Sequence, residues 1–256
     1  MLRGLYTAYT GMLNQQRRLE VTTNNLANAS TVGFKKEGST SQAFDEYLAI
    51  KINDASESYI RRGIGDVSLG VKIGETYTDY EQGSFRETGE PFDLALSGDG
   101  FFNISYTNKK GEEFIMYTRD GSFTLTQDGH LVTKDGDYVL GQDGPIVLPT
   151  DAEITIDAMG YIYNGDELID ILAITDFEDY NYLDKFGENM YRTVNGAVEK
   201  EAAGTVNQGY LEMSNVQVVQ EMVDMITIQR AYEAAQKVET SMDEIMEQVV
   251  TLGRLG

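Results

Sequence analysis

The feature that most constrains this chain is a run of apolar residues near its C-terminus. Ile228, Ala231, Ala235, Val238, Met242, Ile245, Val249 and Leu252 recur at alternating spacings of three and four, the a/d pattern of a helical seam. Upstream the stripe shifts to Val219, Met222, Val223 and Ile226, so the apolar face rotates along the helix. Ser214 followed three residues later by Gln217 has the spacing of a capping box. The pattern predicts a helix from about Asn215 to Leu252, roughly 55 Å long at ~1.5 Å per residue. An isolated small domain rarely needs so long a helix, and a seam this narrow must find a partner. Gln220, Gln229, Ala234 and Gln236 on the other faces would permit close, partly polar packing.

The other end of the chain offers one such partner. Leu5, Met12, Leu19 and Leu26 are seven residues apart, with Tyr9, Gln16 and Thr23 between them. This is again a helical seam, narrow and interrupted by polar residues. The helix should end near Asn28, where Asn-Ala-Ser-Thr and then Gly33 supply residues that favour turns. A shorter helix is expected around Ser41–Ile50. The two seams imply a coiled-coil-like pair between the chain ends, and two readings stay open: packing within one chain only, or packing against neighbouring subunits as well.

Between the ends the pattern changes period. Asp-Gly pairs at Asp99-Gly100, Asp120-Gly121, Asp128-Gly129, Asp135-Gly136 and Asp143-Gly144 separate short apolar runs: Phe101–Ile104, Phe114–Tyr117, Phe123–Leu125, Leu131–Val132, Tyr138–Leu140 and Ile146–Leu148. Asp-Gly suits the positive φ angles of tight turns, so the middle reads as a β-sandwich or irregular barrel. Ile154, Ile156, Tyr161–Tyr163 and Leu168–Ile174 continue it, and Asp176–Gly187 reads as an acidic, aromatic loop. The expected fold is α+β, with long terminal helices and an inserted all-β middle domain. The domain reading is residues 1–50 with 205–256 as the helical part, 51–84 as a variable extended or hairpin segment, and 85–204 as the β-rich domain. The segment 51–83 is heavily charged, with Arg61, Arg62, Asp66, Lys72, Glu75, Asp79 and Glu81.

Charge and composition narrow the chemistry. The 42 acidic against 20 basic residues give a net charge of -22, which repels phosphate backbones and anionic lipid, so nucleic acid is not an expected partner. There is no cysteine, which excludes disulfides and thiolate metal sites. His130 is the only histidine, so metal sites with two histidines are excluded and a Ser-His-Asp triad would have to be built on a residue that reads as part of a hairpin. The Asp-Gly pairs lack the spacing of calcium loops, and the glycines at 63, 65, 70 and 74 lack a dinucleotide-binding frame. No catalytic residue, cofactor or metal is expected. The N-terminus has no continuous apolar core of a cleaved signal peptide, and no stretch is long enough to span a membrane.

Several blocks resemble the flagellar rod and hook axial protein family. They are residues 24–35 (Asn-Asn-Leu-Ala-Asn-Ala-Ser-Thr-Val-Gly-Phe-Lys), 93–102, 117–123 with 128–133, and 209–233 from Gly-Tyr-Leu-Glu through Gln-Arg-Ala-Tyr-Glu. They span nearly the whole chain in the family's order, and the length and the Tyr117–Phe123 block look closest to the distal rod type. The resemblance implies a structural subunit of the basal-body rod with no enzymatic activity. Its terminal helices would polymerise into a hollow, torque-transmitting helical tube, with the β domain outside. Leu5, Met12, Leu19 and Leu26, with the eight seam residues from Ile228 to Leu252, would form the assembly interface. The implied partners are copies of itself, other rod and hook proteins, and the flagellar export apparatus. The chain would leave the cell without a cleaved signal, and Phe44 and Leu48, four apart on the expected short helix, would be the export element. The alternatives are a proximal-rod or hook-like paralogue and, in a different class, a secreted β-domain that binds a surface ligand through some of its 16 tyrosines.

Overall fold

The computed structural model describes residues 2–50, 63–149, 154–187 and 189–254. They form an N-terminal helix, a β-rich middle and a C-terminal helix, an α+β chain divided into two compact units.

The first unit holds residues 1–26, 37–78 and 218–256. Helix α1 spans Leu2–Ala27, and a turn follows in which Thr31 N and Oγ1 donate to Asn28 O and Oδ1. Helix α2 spans Val218–Arg254. It starts three residues later than the capping-box pattern places it. Ser214 Oγ accepts from Val216 N, and the Asn215 side chain is occupied by Lys36 N and by the carbonyls of Asp79 and Glu81, partners outside the helix.

The short helix expected around Ser41–Ile50 does not form. Glu37–Ala43 and Tyr47–Ile50 are strands, paired antiparallel with Val71–Thr78 and Gly63–Val67. The run Gly38-Ser-Thr-Ser41 is poor in helix formers, and a partner strand lies within reach in the sequence. This hairpin lies on α1. Asn14 Nδ2 donates to Ser41 Oγ at 3.1 Å, the Ser41 hydroxyl donates back to Asn14 Oδ1 at 3.2 Å, and the Thr10 side chain leaves no room for a Cβ at Gly70. Of the charged segment, 63–83 includes these strands, while 51–62, with Arg61 and Arg62, lies outside the described residues.

The second unit holds residues 27–36 and 79–217. Its main sheet runs, in spatial order, 183–186, 190–193, 113–118, 101–107, 138–139, 131–132 and 124–125, with 174–177 pairing both 101–107 and 199–201. A meander of 154–156, 161–164 and 167–171 packs with it, and ribbons pair 94–97 with 205–208 and 85–87 with 210–212. The segment read as a loop, 176–187, instead contributes a strand end, a 3₁₀ turn at Tyr180–Tyr182 and the strand Leu183–Phe186. Alternation along these strands buries Leu94, Leu96, Phe102, Ile104, Leu131, Val139 and Ile162 in one cluster, which Ile146 joins from a connecting segment, and Phe101, Tyr117, Phe177 and Tyr191 in a second.

The Asp-Gly pairs have two uses. Gly129 and Gly136 have φ of 83° and 93°, the turn geometry that the sequence suggests. Gly121 does not have positive φ. It is glycine because the Leu94 carbonyl oxygen stands where a Cβ would go. Gly121→Ala should therefore lower stability by about 1–3 kcal/mol through overpacking, read as a lower urea midpoint in tyrosine near-UV circular dichroism. Gly11, inside α1 with nothing within 4 Å of an added Cβ, should show the opposite sign, with Gly11→Ala stabilising by about 1 kcal/mol.

Candidate functional site

Two places among the described residues stand out for polar chemistry, and the first lies where the chain enters and leaves the β-rich unit. The inbound segment 32–35 is buried, and so are Leu211, Glu212, Ser214 and Val216 of the outbound segment. Gly33, at φ 69°, donates its N–H to Glu212 O at 2.8 Å, and the backbone of Arg119 and Asp120 fills the space a side chain would need. Phe34 is buried beneath Lys185, whose Nζ lies 4.1 Å from the ring centroid. Asn189 Nδ2 holds Val32 O at 2.9 Å. Lys36 N donates to Asn215 Oδ1 at 2.7 Å, and Asn215 Nδ2 donates to the carbonyls of Asp79 and Glu81.

At the centre of this zipper is an ion cluster. Lys35 and Glu212 are each 1% exposed and Arg119 4%. Lys35 Nζ reaches Glu212 Oε1 at 2.7 Å and Glu81 O at 2.8 Å. Glu212 Oε1 also accepts from Gly83 N, and Oε2 accepts from Arg119 Nη1 at 3.4 Å. Arg119 donates further to Gly98 O at 2.7 Å and lies 5.3 Å over the Phe101 ring. Burial pushes the Lys35 ammonium below the usual lysine pKa, against the opposing pull of the Glu212 carboxylate. One carboxylate thus ties together four stretches of chain: 33–36, 81–83, 119 and 212. The sequence blocks quoted above contain all three ions, but their pairing needs residues 177 positions apart to meet.

The second place is a cleft of about 380 Å³ lined by Thr118, Asp120, Thr133, Asp135, Asp137 and Phe186, among others. Partial burial, with Asp135 nearby, raises the pKa of Asp137. Among the described residues no three His, Cys, Asp or Glu side chains converge to hold a metal ion. His130 sits in an isolated bridge to Val147 with its ring edge-on to Tyr138, as the hairpin reading has it.

The sequence-derived interface residues divide by environment. Met12 and Ile228 are buried; Leu5, Leu19, Leu26, Ala231, Ala235 and Met242 are half-buried. Val238, Ile245, Val249 and Leu252 are exposed. The buried and half-buried face of α2 is Glu221, Asp224, Met225, Ile228, Ala231, Tyr232, Ala235, Glu239, Met242 and Met246, which shares Ile228, Ala231, Ala235 and Met242 with the expected seam and departs from it at the rest. Within this unit, α1 and α2 meet at Asn25 and Glu221, whose side chains are 3.4 Å apart, and at Gly4, where a Cβ would lie 2.9 Å from Met242 Cε. Asn25 also makes a two-way bond with the Glu37 backbone. Phe44 is half-buried between strands and donates its N–H to Gly70 O; of Leu48 only the backbone is described, paired with Asp66.

Three family models match the chain: a flagella basal body rod protein model over residues 5–35, the D1 domain of the flagellar hook protein FlgE/F/G over 95–164, and the C-terminal model of flagellar basal body rod FlgEFG proteins over 207–252. Among curated proteins the chain is 35% identical to the flagellar basal-body rod protein FlgG of Bacillus subtilis, over 99% of this chain and 100% of that protein. It is 33% identical to the FlgG of Borreliella burgdorferi, over 96% and 97%. It is 32% identical to the rod protein FlgF of Caulobacter vibrioides, over 100% and 99%. The chain belongs to the flagellar basal-body rod protein family. The matched N- and C-terminal models each contain one arm of the Lys35–Glu212 pair.

If this cluster holds the β-rich unit together, Glu212→Gln should be the most damaging single change in it. It would leave two buried cations facing a neutral amide, at a cost of about 3–5 kcal/mol. Lys35→Met should cost less, because Arg119 still faces the carboxylate. Urea unfolding of the full chain, followed by tyrosine circular dichroism, ranks the two; equal, small losses would refute the role.

Proposed function

We propose that this chain, a structural subunit of the flagellar basal-body rod, polymerises through α1 and α2 into a hollow helical tube with other axial proteins. The observation that carries this reading is the apolar surface left on α2. Val219, Met222, Val223 and Ile226 lie on the side opposite Glu221 and Ile228, and Val238, Ile245, Val249 and Leu252 lie on a flank; all eight are 45% exposed or more. Few apolar side chains of the helical unit are fully buried: among the described residues, Ala8, Met12 and Ile228. A unit with so thin a core and so much exposed apolar helix is suited to completion by neighbours.

A coiled-coil-like antiparallel pairing of α1 and α2 is part of this proposal. The Asn25–Glu221 and Gly4–Met242 contacts support it, since they are separated by the same number of residues on both helices and run in opposite directions. The role is mechanical, and no chemistry is assigned to it. The secreted surface-binding alternative loses ground because the relatives align over both helices as well as the β region. No helix among the described residues is long and apolar enough to cross a membrane.

Val238→Asp combined with Ile245→Asp should abolish polymerisation while the β-rich unit stays folded, because burying unpaired carboxylates in a subunit contact costs several kcal/mol. Sedimentation of concentrated protein, with near-UV circular dichroism as the folding control, reads both; normal polymers from the double variant would refute the model.

Export without a cleaved signal, through Phe44 and Leu48, is a further part of the proposal. Because the folded segment is not helical, the element would act in the unfolded chain during transit. Replacing both residues with Ala should reduce the amount of this protein outside cells blocked in rod assembly. Secretion equal to wild type would remove the export assignment.

A further inference from the structure

The polymerisation reading leaves open which surface of a neighbour covers the exposed flank of α2. Charge restricts the answer. In a chain of net charge -22, two copies brought together at random surfaces repel. Helix α1 departs from this balance, with Arg3, Arg17 and Arg18 against the single acid Glu20. Helix α2 has seven acids against three bases, and Asp243, Glu244 and Glu247 lie along its C-terminal half. An α2–α2 contact between copies would therefore be disfavoured, and an α2–α1 contact favoured.

Shape leads to the same pairing. The flank of α2 carries an apolar dent of about 240 Å³ lined by Lys237, Val238, Ser241, Met242 and Ile245. The outward side of α1 carries Tyr6, Tyr9 and Leu13, spaced as one helical stripe and respectively 60%, 53% and 47% exposed. Two exposed aromatic rings beside Arg3 are the complement of an apolar dent on an acid-rich helix: the rings fill the dent and the Arg3 guanidinium meets carboxylates, while Arg17 is held at 2.8 Å by Glu20 of its own helix and Lys237 stands at the edge of the dent.

Resting on that polymerisation reading, we propose that the α1 stripe Tyr6, Tyr9 and Leu13 of one copy docks on the Val238–Ile245 flank of α2 in a second copy of this chain. The two surfaces differ, so the contact is head-to-tail. Each copy keeps one of each surface free, and assembly continues as an open helical polymer instead of closing as a two-fold dimer.

The absence of native cysteine makes the contact directly testable. Full-length chains carrying Tyr9→Cys and Val238→Cys are mixed, concentrated until polymer sediments, and oxidised. A disulfide-linked dimer should form in the mixture at least about tenfold more than in either variant alone. Cross-linking of Tyr9→Cys with itself, or of Val238→Cys with itself, to the same extent would overturn the head-to-tail pairing. Polymer without the mixed cross-link would overturn this inference while leaving polymerisation through the helices intact. Failure of the unmodified chain to polymerise would instead count against the reading beneath it. Tyr6→Cys with Ser241→Cys provides a second pair with the same outcomes if either first variant does not assemble.

Discussion

Removing an ammonium and a carboxylate from water is expensive, and their mutual attraction repays that cost only when the geometry is good and the remaining polar atoms have partners. The Lys35–Glu212 pair meets both conditions. Its members are in direct contact, each is anchored to backbone or to a third ion, and Arg119 extends the cluster to the carbonyl of Gly98. Lys35 comes from the segment following α1 and Glu212 from the segment preceding α2. The closure of the β-rich unit thus depends on both chain termini arriving together. The neighbouring backbone bonds from Gly33 to Glu212 and from Lys36 to Asn215 repeat this dependence without charge.

That arrangement has a mechanical consequence. Hydrogen bonds and ion pairs join the two connecting segments directly, and buried anchors such as Phe34 fix them to the β-rich unit, an arrangement suited to resisting force applied to either segment. Asn25 does a comparable job in the helical unit, where its amide bonds both Glu221 and the backbone of Glu37. A protein with a structural role in a rod has reason to place its strongest polar contacts at such junctions rather than in a pocket.

The helices follow a different logic. Their intrachain contact uses one stripe of α2, and the apolar residues with the most regular spacing are divided between that stripe and the solvent. An a/d pattern records every apolar contact a helix makes, within its own chain and beyond it, and cannot say which is which. The eight-residue seam from Ile228 to Leu252 is therefore legible in the sequence, but the division between buried Ile228 and exposed Val238 is not.

What the sequence determined by itself was whatever depends on local pattern. The long C-terminal helix follows from spacing at three and four, the end of α1 from the turn residues after Asn28, and many short strands from apolar runs between Asp-Gly pairs. The family blocks, too, are contiguous and readable. Tertiary structure decided what depends on residues far apart. Around Ser41–Ile50 the local signal was weak, and pairing with Val71–Thr78 and Gly63–Val67 made strands of it. At Gly121 the residue type reflects the approach of Leu94, not a turn. Asn215 was drawn out of the helix by partners at 36, 79 and 81. The charges of Lys35, Arg119 and Glu212 are plain in the sequence, but their burial and mutual satisfaction exist only when three distant segments fold onto one another, because an ion's environment is set by what packs around it.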